Sequence, residues 1–389
     1  MSGVGSVESS VWDDWLHERA QLREERGTVR TDPVLRDTGD GTTLDLASND
    51  YLGLSRDPRV VAATHAAVDR HGCSATASRL VTGTLSIHHE LETALAALAG
   101  WPSALAFSTG YAANLGVLTA LSGRGAAILL DEHAHASLHD AARMSRVPYA
   151  TFRHNDVDDL AVQLAARAGS RVVVAVESIY SVLGDAAPLQ ALLETCTTHD
   201  ALLVVDEAHG IGVAGEGRGL VAEVGLADAR NLVVTATLSK SLGAQGGAVL
   251  ASRAIREHLV NTARSFIFDT GLAPAAAGAA AEAARIVASA PELSARVRDN
   301  AEAIVAICGI TPAAGAVQSI PMASPQAAVA ACLDLREQGV LVGCFRPPSV
   351  PDGVSRLRVT ARADLTPDAV AAAAHRIATT ADRHGRAAP

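Results

Sequence analysis

The strongest constraint on the fold is a series of short apolar runs that alternate with helical patterns. Residues 103–107, 127–130, 171–177, 201–206, 231–235 and 248–250 are rich in Val, Leu, Ile and Ala, and each is bounded by polar or small residues. The run 171–177 is apolar at consecutive positions, which suits a strand buried on both faces of a parallel sheet. Between the runs lie helical patterns at 86–99, 112–121, 188–199 and 254–262. In the first of these, Leu91, Leu95 and Leu98 share one face. Such alternation predicts an α/β fold, and in an open α/β sheet ligands bind at the carboxyl ends of the strands.

Two of those ends carry chemistry. The run 201–206 finishes on Asp206, and His209 follows three residues later. The run 231–235 leads through Thr237 to Lys240, set between Ser239 and Ser241 and followed by Gly243, Gly246 and Gly247. A lysine at the end of a buried strand is costly to bury charged, so it loses its proton or finds a partner. A neutral amine in a dry pocket forms Schiff bases with carbonyls. Asp206, His209 and Lys240 together match the needs of pyridoxal 5′-phosphate (PLP). The acid keeps the pyridine nitrogen protonated, the lysine carries the cofactor as an imine, and the histidine bonds the phenolic oxygen. The run 103–107 turns through Gly110 and Tyr111 into a helix. Free amides and the helix dipole face that turn, so the cofactor phosphate is expected on the backbone of Gly110 and Tyr111. Thr237 joins the expected cofactor set.

The rest divides into an N-terminal segment, 1–45, a large domain, 46–284, and a smaller C-terminal α+β domain, 285–389. Within 11–30, Trp12, Trp15, Leu16 and Leu22 stand among charges, which predicts an amphipathic helix packed on the body of the protein. Near the other end, runs at 320–322, 340–342 and 355–360 read as strands. Arg356 and Arg358 lie two apart on the last one, so both point to one face and need an anion or solvent.

Taken in order, residues 46–55, 107–114, 135–138, 206–209, the Lys240 stretch and 356–358 resemble the α-oxoamine synthase family of fold-type I PLP-dependent enzymes. The resemblance covers nearly the whole chain. It implies an aminotransferase-like PLP fold with a mostly parallel seven-stranded sheet in the large domain. It also implies an acyltransferase that condenses an amino acid with an acyl thioester and releases CO2. Residues 206–212, 243–247 and 268–274 look most like the branch that joins L-alanine to a pimeloyl thioester, carried by CoA or an acyl carrier protein, in biotin biosynthesis. The alternatives are a sister synthase using glycine or serine with another acyl-CoA, and a true aminotransferase.

By the same resemblance, the catalytic set is Lys240, His135, Asp206 and His209. His135 stacks on the cofactor ring and contacts substrate, with His133 as a rival two residues away. Ser181 lies near the ring oxygen. Asn49 and Arg358 meet the amino-acid carboxylate, and Thr360 lies near the substrate. Arg30 reaches the acyl substrate, with Arg23 and Arg26 as rivals. Thr270, in a dimer-interface stretch at 266–270, reaches the neighbouring subunit's phosphate.

Composition narrows the classes. A net charge of −10 without a Lys/Arg run argues against nucleic acid. Charged residues are only 19%, which suggests further burial in a homodimer. Five scattered cysteines read as free thiols, with no disulfide frame or zinc site. His133, His135 and His139 lack the companion ligands of a metal centre, so no metal is expected. No apolar run of membrane-spanning length occurs and the N-terminus has no signal-peptide pattern, so a cytoplasmic protein is expected. The glycines at 210–219 do not follow the first strand and open a helix, so they are not a dinucleotide fingerprint and read as a flexible loop.

Overall fold

The computed structural model describes residues 10–26, 28–30, 43–347, 349–350 and 352–387. A two-residue strand, β1 (Leu44–Asp45), opens the body of the protein. The apolar runs then become β2 (Ala104–Phe107), β3 (Ala126–Asp131), β4 (Tyr149–Phe152), β5 (Arg171–Glu177), β6 (Leu202–Asp206), β7 (Leu232–Thr237) and β8 (Gly247–Leu250). These seven form one sheet in the order β2-β8-β7-β6-β5-β3-β4. Neighbours are parallel except at β8, which runs antiparallel to both β2 and β7. The chain therefore turns back on itself between β7 and β8, and Lys240 sits in that turn.

The sheet is covered on both faces, which is why its central strands read as unbroken apolar runs. Val174, Val176, Leu203 and Val205 join one buried cluster, while Val173, Ala175, Val204 and Val233 join another across the sheet. The edge strand β4 had no such signature: Tyr149 and Thr151 face outward and only Phe152 is buried. Helices α1 (Val11–Glu25), α2 (Pro58–His71), α3 (Ser86–Ala99), α4 (Gly110–Leu121) and α5 (Ala136–Ser145) precede or flank the first strands. The alanine-rich helix Pro274–Ser289 lies against α2 and α3. Small residues let it approach closely, since a Cβ added at Gly278 would stand 2.7 Å from the Ala67 Cβ.

A second sheet forms from β9 (Val317–Pro321), β11 (Gly343–Phe345) and β12 (Arg356–Thr360), antiparallel in the order β11-β12-β9. The short β10 (Val340–Leu341) pairs with β1. Residues after β1 then cross to β12: Thr360 N–H donates to the Leu46 carbonyl and Ala363 N–H to the Tyr51 carbonyl. This crossing delivers Asn49 and Tyr51 to the Arg358 side chain.

Two expectations need correction. No residue of α1 is fully buried: Trp12 is 71% exposed, and only the last turns, at the half-buried Ala20 and Leu22, approach the body of the chain. The glycines at 210–219 make a tight, largely buried turn. Gly212 and Gly217 hold φ of +83° and +90°, and a Cβ at Gly217 would stand 2.5 Å from Val287 Cγ1. Left-handed geometry and close approach select glycine here.

Candidate active site

The carboxyl ends of β5, β6 and β7 converge on a cavity of about 590 Å³. Asn49, His135, Ser181, His209, Lys240 and Arg358 line it. Sequence positions up to 309 residues apart thus face one space. Lys240 Nζ lies 2.7 Å from His209 Nε2, and His209 Nδ1 lies 2.8 Å from the Tyr51 hydroxyl. Burial lowers the Lys240 pKa to about 8, against the pull of the Asp206 and Glu177 charges. Burial and the Lys240 charge hold His209 well below its ordinary value, so its ring is neutral.

Asp206 is buried at the end of β6. Its Oδ2 accepts from Asn114 Nδ2 at 2.7 Å and its Oδ1 from the Ala208 amide at 2.9 Å. Asn114, on α4, also donates to Ser137 Oγ at 2.8 Å, and Ser137 Oγ lies 2.8 Å from His135 Nδ1. His135 caps the N-terminus of α5, where its ring accepts the Ser137 N–H. One polar chain therefore joins Asp206 to His135. Glu177 is the register partner of Asp206 on β5. Its Oε2 accepts the Ser181 N–H at 3.1 Å, and its Oε1 is buried without a hydrogen bond. Burial and the Asp206 charge raise its pKa to about 8.

Arg358 has only neutral partners: Nε donates to the Ser181 carbonyl at 2.7 Å, Nη1 to Asn49 Oδ1 at 3.1 Å and Nη2 to the Tyr51 hydroxyl at 3.4 Å. Its charge is uncompensated at the cavity wall, as an anion site requires. Arg356 differs. It has its anion within the chain, a bidentate pair with Asp352 at 2.8 and 2.7 Å. The shared need for an external anion thus applies to Arg358 alone.

The helix turn behaves as an anion cradle. Gly110 and Tyr111 are the first two residues of α4, so their amides have no intrahelical acceptor. A Cβ at Gly110 would come within 3.1 Å of the Thr237 Cβ, a tight approach, so glycine leaves room for the Thr237 hydroxyl and these amides to share the space. A half-buried amine of lowered pKa, a carboxylate, a neutral histidine and this cradle on one sheet edge fit the donor set of a pyridoxal phosphate site.

Three expected residues lie elsewhere. Arg30 lines an adjoining outer cavity of about 970 Å³ with Arg23, and donates to Ser349 Oγ at 2.5 Å. Arg26 does not line it. Thr270 is exposed and bridges Ser78, outside this chain's cavity. Thr360 is fully buried, two residues after Arg358 on β12, with its hydroxyl unpaired among the described residues. His133 lines the cavity's outer wall, two residues from His135. Tyr51, Asn114, Ser137 and Glu177 were not expected. Of these, Glu177 had a signal: an acid ending a strand that neighbours the Asp206 strand.

Among the described residues no group of His, Cys, Asp and Glu is placed to hold a metal, and no helix is long and apolar enough to cross a membrane. Residues 42–377 match the family Aminotransferase class I and II. The chain is 50% identical over 365 residues to the 8-amino-7-oxononanoate synthase of Mycolicibacterium gilvum, covering 93% of this chain and 95% of that one. It is 50% identical over 368 residues to the enzyme of the same name from Mycolicibacterium vanbaalenii, again covering 93% and 95%. Among solved structures, serine palmitoyltransferase from S. paucimobilis with a bound PLP–myriocin aldimine superposes with a TM-score of 0.88 at 30% identity, covering 97% of this chain and 99% of that one. The chain therefore belongs to the Aminotransferase class I and II family, in its 8-amino-7-oxononanoate synthase branch.

Proposed function

We propose that this protein is a PLP-dependent acyltransferase that condenses L-alanine with a pimeloyl thioester to give 8-amino-7-oxononanoate, CO2 and free thiol. The observation that carries this reading is the convergence of Lys240, His209, His135 and Arg358 on one cavity, with the buried Asp206 joined to its wall through Asn114, Ser137 and His135. Lys240, Asp206, His209, Thr237, Ser181 and the amides of Gly110 and Tyr111 would hold the cofactor, with His135 against its ring. When bound, PLP supplies an electron sink for a carbanion at the amino-acid Cα.

The chain's own residues do the rest. Arg358 and Asn49 bind the amino-acid carboxylate. Lys240, neutral above about pH 8, takes the Cα proton on Nζ. Asp206, fixed in place by the Asn114 and Ala208 donors, holds a proton on the partner facing it. His135 and Ser181 orient the thioester carbonyl. The acyl donor enters through the outer cavity past Arg30 and Arg23, whose charges suit the phosphates of CoA or of a carrier protein's pantetheine arm. In this reading residues 46–284 form the domain that holds the cofactor, and residues 285–389 the one that supplies Arg358.

We infer a homodimer: Trp12, Val81 and Phe268 are 70–75% exposed, and Thr270 would complete the partner's phosphate site. A reducing, cytoplasmic setting suits five free thiols. The test is a panel of alanine, glycine and serine against pimeloyl, short-chain and long-chain thioesters, scored for thiol and CO2 release. Preference for serine with a long acyl-CoA, the activity named for the structural relative, would move the protein to a sister synthase.

A further inference from the structure

None of these roles uses His154, which follows β4 outside the cavity wall. Its Nδ1 lies 2.9 Å from Asp131 Oδ1 and its Nε2 lies 2.7 Å from Asp185 Oδ2. A carboxylate only accepts, so each ring nitrogen must carry a proton, and the ring is an imidazolium on geometry alone. Asp131, fully buried at the end of β3, also accepts the His133 and Asn155 amides, each at 2.8 Å. Asp185 closes the loop that follows β5, and Asn155 Nδ2 donates to it at 2.9 Å. One cation thus joins the ends of β3 and β4 to a loop on the neighbouring strand.

That loop carries Ser181. It is drawn tight by Tyr180 N–H donating to the Asp185 carbonyl and Gly184 N–H to the Tyr180 carbonyl, each at 2.9 Å. The Ser181 carbonyl at its near end accepts Arg358 Nε at 2.7 Å. A continuous path therefore runs from His154 through Asp185 and the loop to the guanidinium.

We propose that His154 is a positioning residue for the amino-acid substrate: doubly protonated, it staples the Ser181 loop to the end of β3 and so aims the Arg358 guanidinium into the cavity. Without the cation, Asp131 and Asp185 would face each other with only the neutral Asn155 donors between them. Like charges in a poorly solvated site repel, and the loop would move away. Arg358 would then keep Asn49 and Tyr51 but lose its shortest hydrogen bond.

The groups facing His154 are consistent with this. Asp131 and Asp185 favour its charge. Glu132 accepts its backbone N–H at 2.9 Å. His133 stacks on it with ring centroids 3.9 Å apart, and the Tyr180 ring meets it edge-on at 4.4 Å. Burial opposes the charge, but the hydrogen bonds and charges of the two aspartates win and raise the pKa to about 9. Burial and the His154 charge together push His133 below its ordinary value, so the stacked partner is neutral.

The staple rests on the reading of Arg358 as the amino-acid carboxylate site, and the experiment separates the two. In the full-length holoenzyme, His154→Gln should raise KM for the amino acid about tenfold, the cost of misdirecting one charge-assisted hydrogen bond. The value of kcat should change less than about threefold. Asp185→Asn keeps a hydrogen-bond acceptor and removes one charge. It should move the alkaline rise of KM, expected near pH 9, to lower pH, and it serves if the glutamine variant does not fold. Nitrogen-15 NMR should show both His154 nitrogens protonated at pH 7. Arg358→Ala is the control arm. If it leaves KM unchanged, the carboxylate reading fails. If it raises KM while His154→Gln and Asp185→Asn do not, or if the His154 ring carries one proton at pH 7, the staple is overturned.

Discussion

His209 stands between Lys240 and Tyr51, with Nε2 2.7 Å from the lysine amine and Nδ1 2.8 Å from the phenol oxygen. A neutral imidazole has one N–H and one lone pair, so whether Nε2 carries the proton decides whether the amine accepts or donates. Tyr51 can adjust to either tautomer, because its hydroxyl also reaches Asn49 Oδ1 at 3.0 Å. The lysine therefore stands beside a partner that suits it charged or neutral, which is what a base that gains and loses a proton needs.

Replacing Lys240 should remove both cofactor attachment and turnover. Lys240→Ala is expected to lose the borohydride-reducible absorbance of the parent and to reduce kcat at least about 10³-fold. A reducible adduct at normal yield in the variant would show that another amine carries the cofactor.

Asp206→Asn keeps the shape of the carboxylate but not its charge. The variant should retain part of its cofactor and lose on the order of 10²-fold or more in deuterium exchange at the amino-acid Cα. Unimpaired exchange would remove Asp206 from the chemistry.

The rate should depend on pH through Lys240. Its pKa is lowered to about 8, and the base must be neutral in the substrate complex, so kcat should rise as pH increases through about 8 and then level off. A profile flat from pH 6 to 9 would contradict this.

His154 should set an alkaline limit on stability. Its folded pKa of about 9 is above the ordinary 6.5, so it favours the fold fully below about pH 6.5, and that contribution is lost as pH rises through 9. The shift corresponds to roughly 3 kcal/mol as an upper value, since the ring is coupled to two carboxylates. Denaturant unfolding at pH 7 and pH 10 should show a loss in the parent and a smaller one in His154→Gln.

Subunit composition can be tested by mixing. Sedimentation should give a dimer. Lys240→Ala and Thr270→Ala chains, each weakly active alone, should regain activity together if Thr270 serves the partner's site. A fully active monomer would refute this.

The sheet was legible because a strand buried on both faces must be apolar at every position, and β5 matched its run residue for residue. The helix α3 was equally plain, since one apolar face at helical spacing leaves little choice. The edge strand β4 was not legible, because half its side chains meet solvent. The exposure of α1 could not be read either: an amphipathic pattern states that an apolar face exists, without stating what covers it.

The site divides the same way. Sequence alone determined that an acid, a histidine and a lysine end neighbouring strands, because strand ends and chemical type are local properties. It did not decide that Arg356 is neutralised by Asp352 while Arg358 is not, since both arginines share one strand face. Nor did it place Tyr51 on His209, Asn114 on Asp206 or His154 between two aspartates. Those contacts join residues 23 to 158 positions apart, and only the packed sheet brings them within hydrogen-bond distance. Burial follows from the same packing, and burial is what turns an ordinary lysine into one that is half neutral near pH 8.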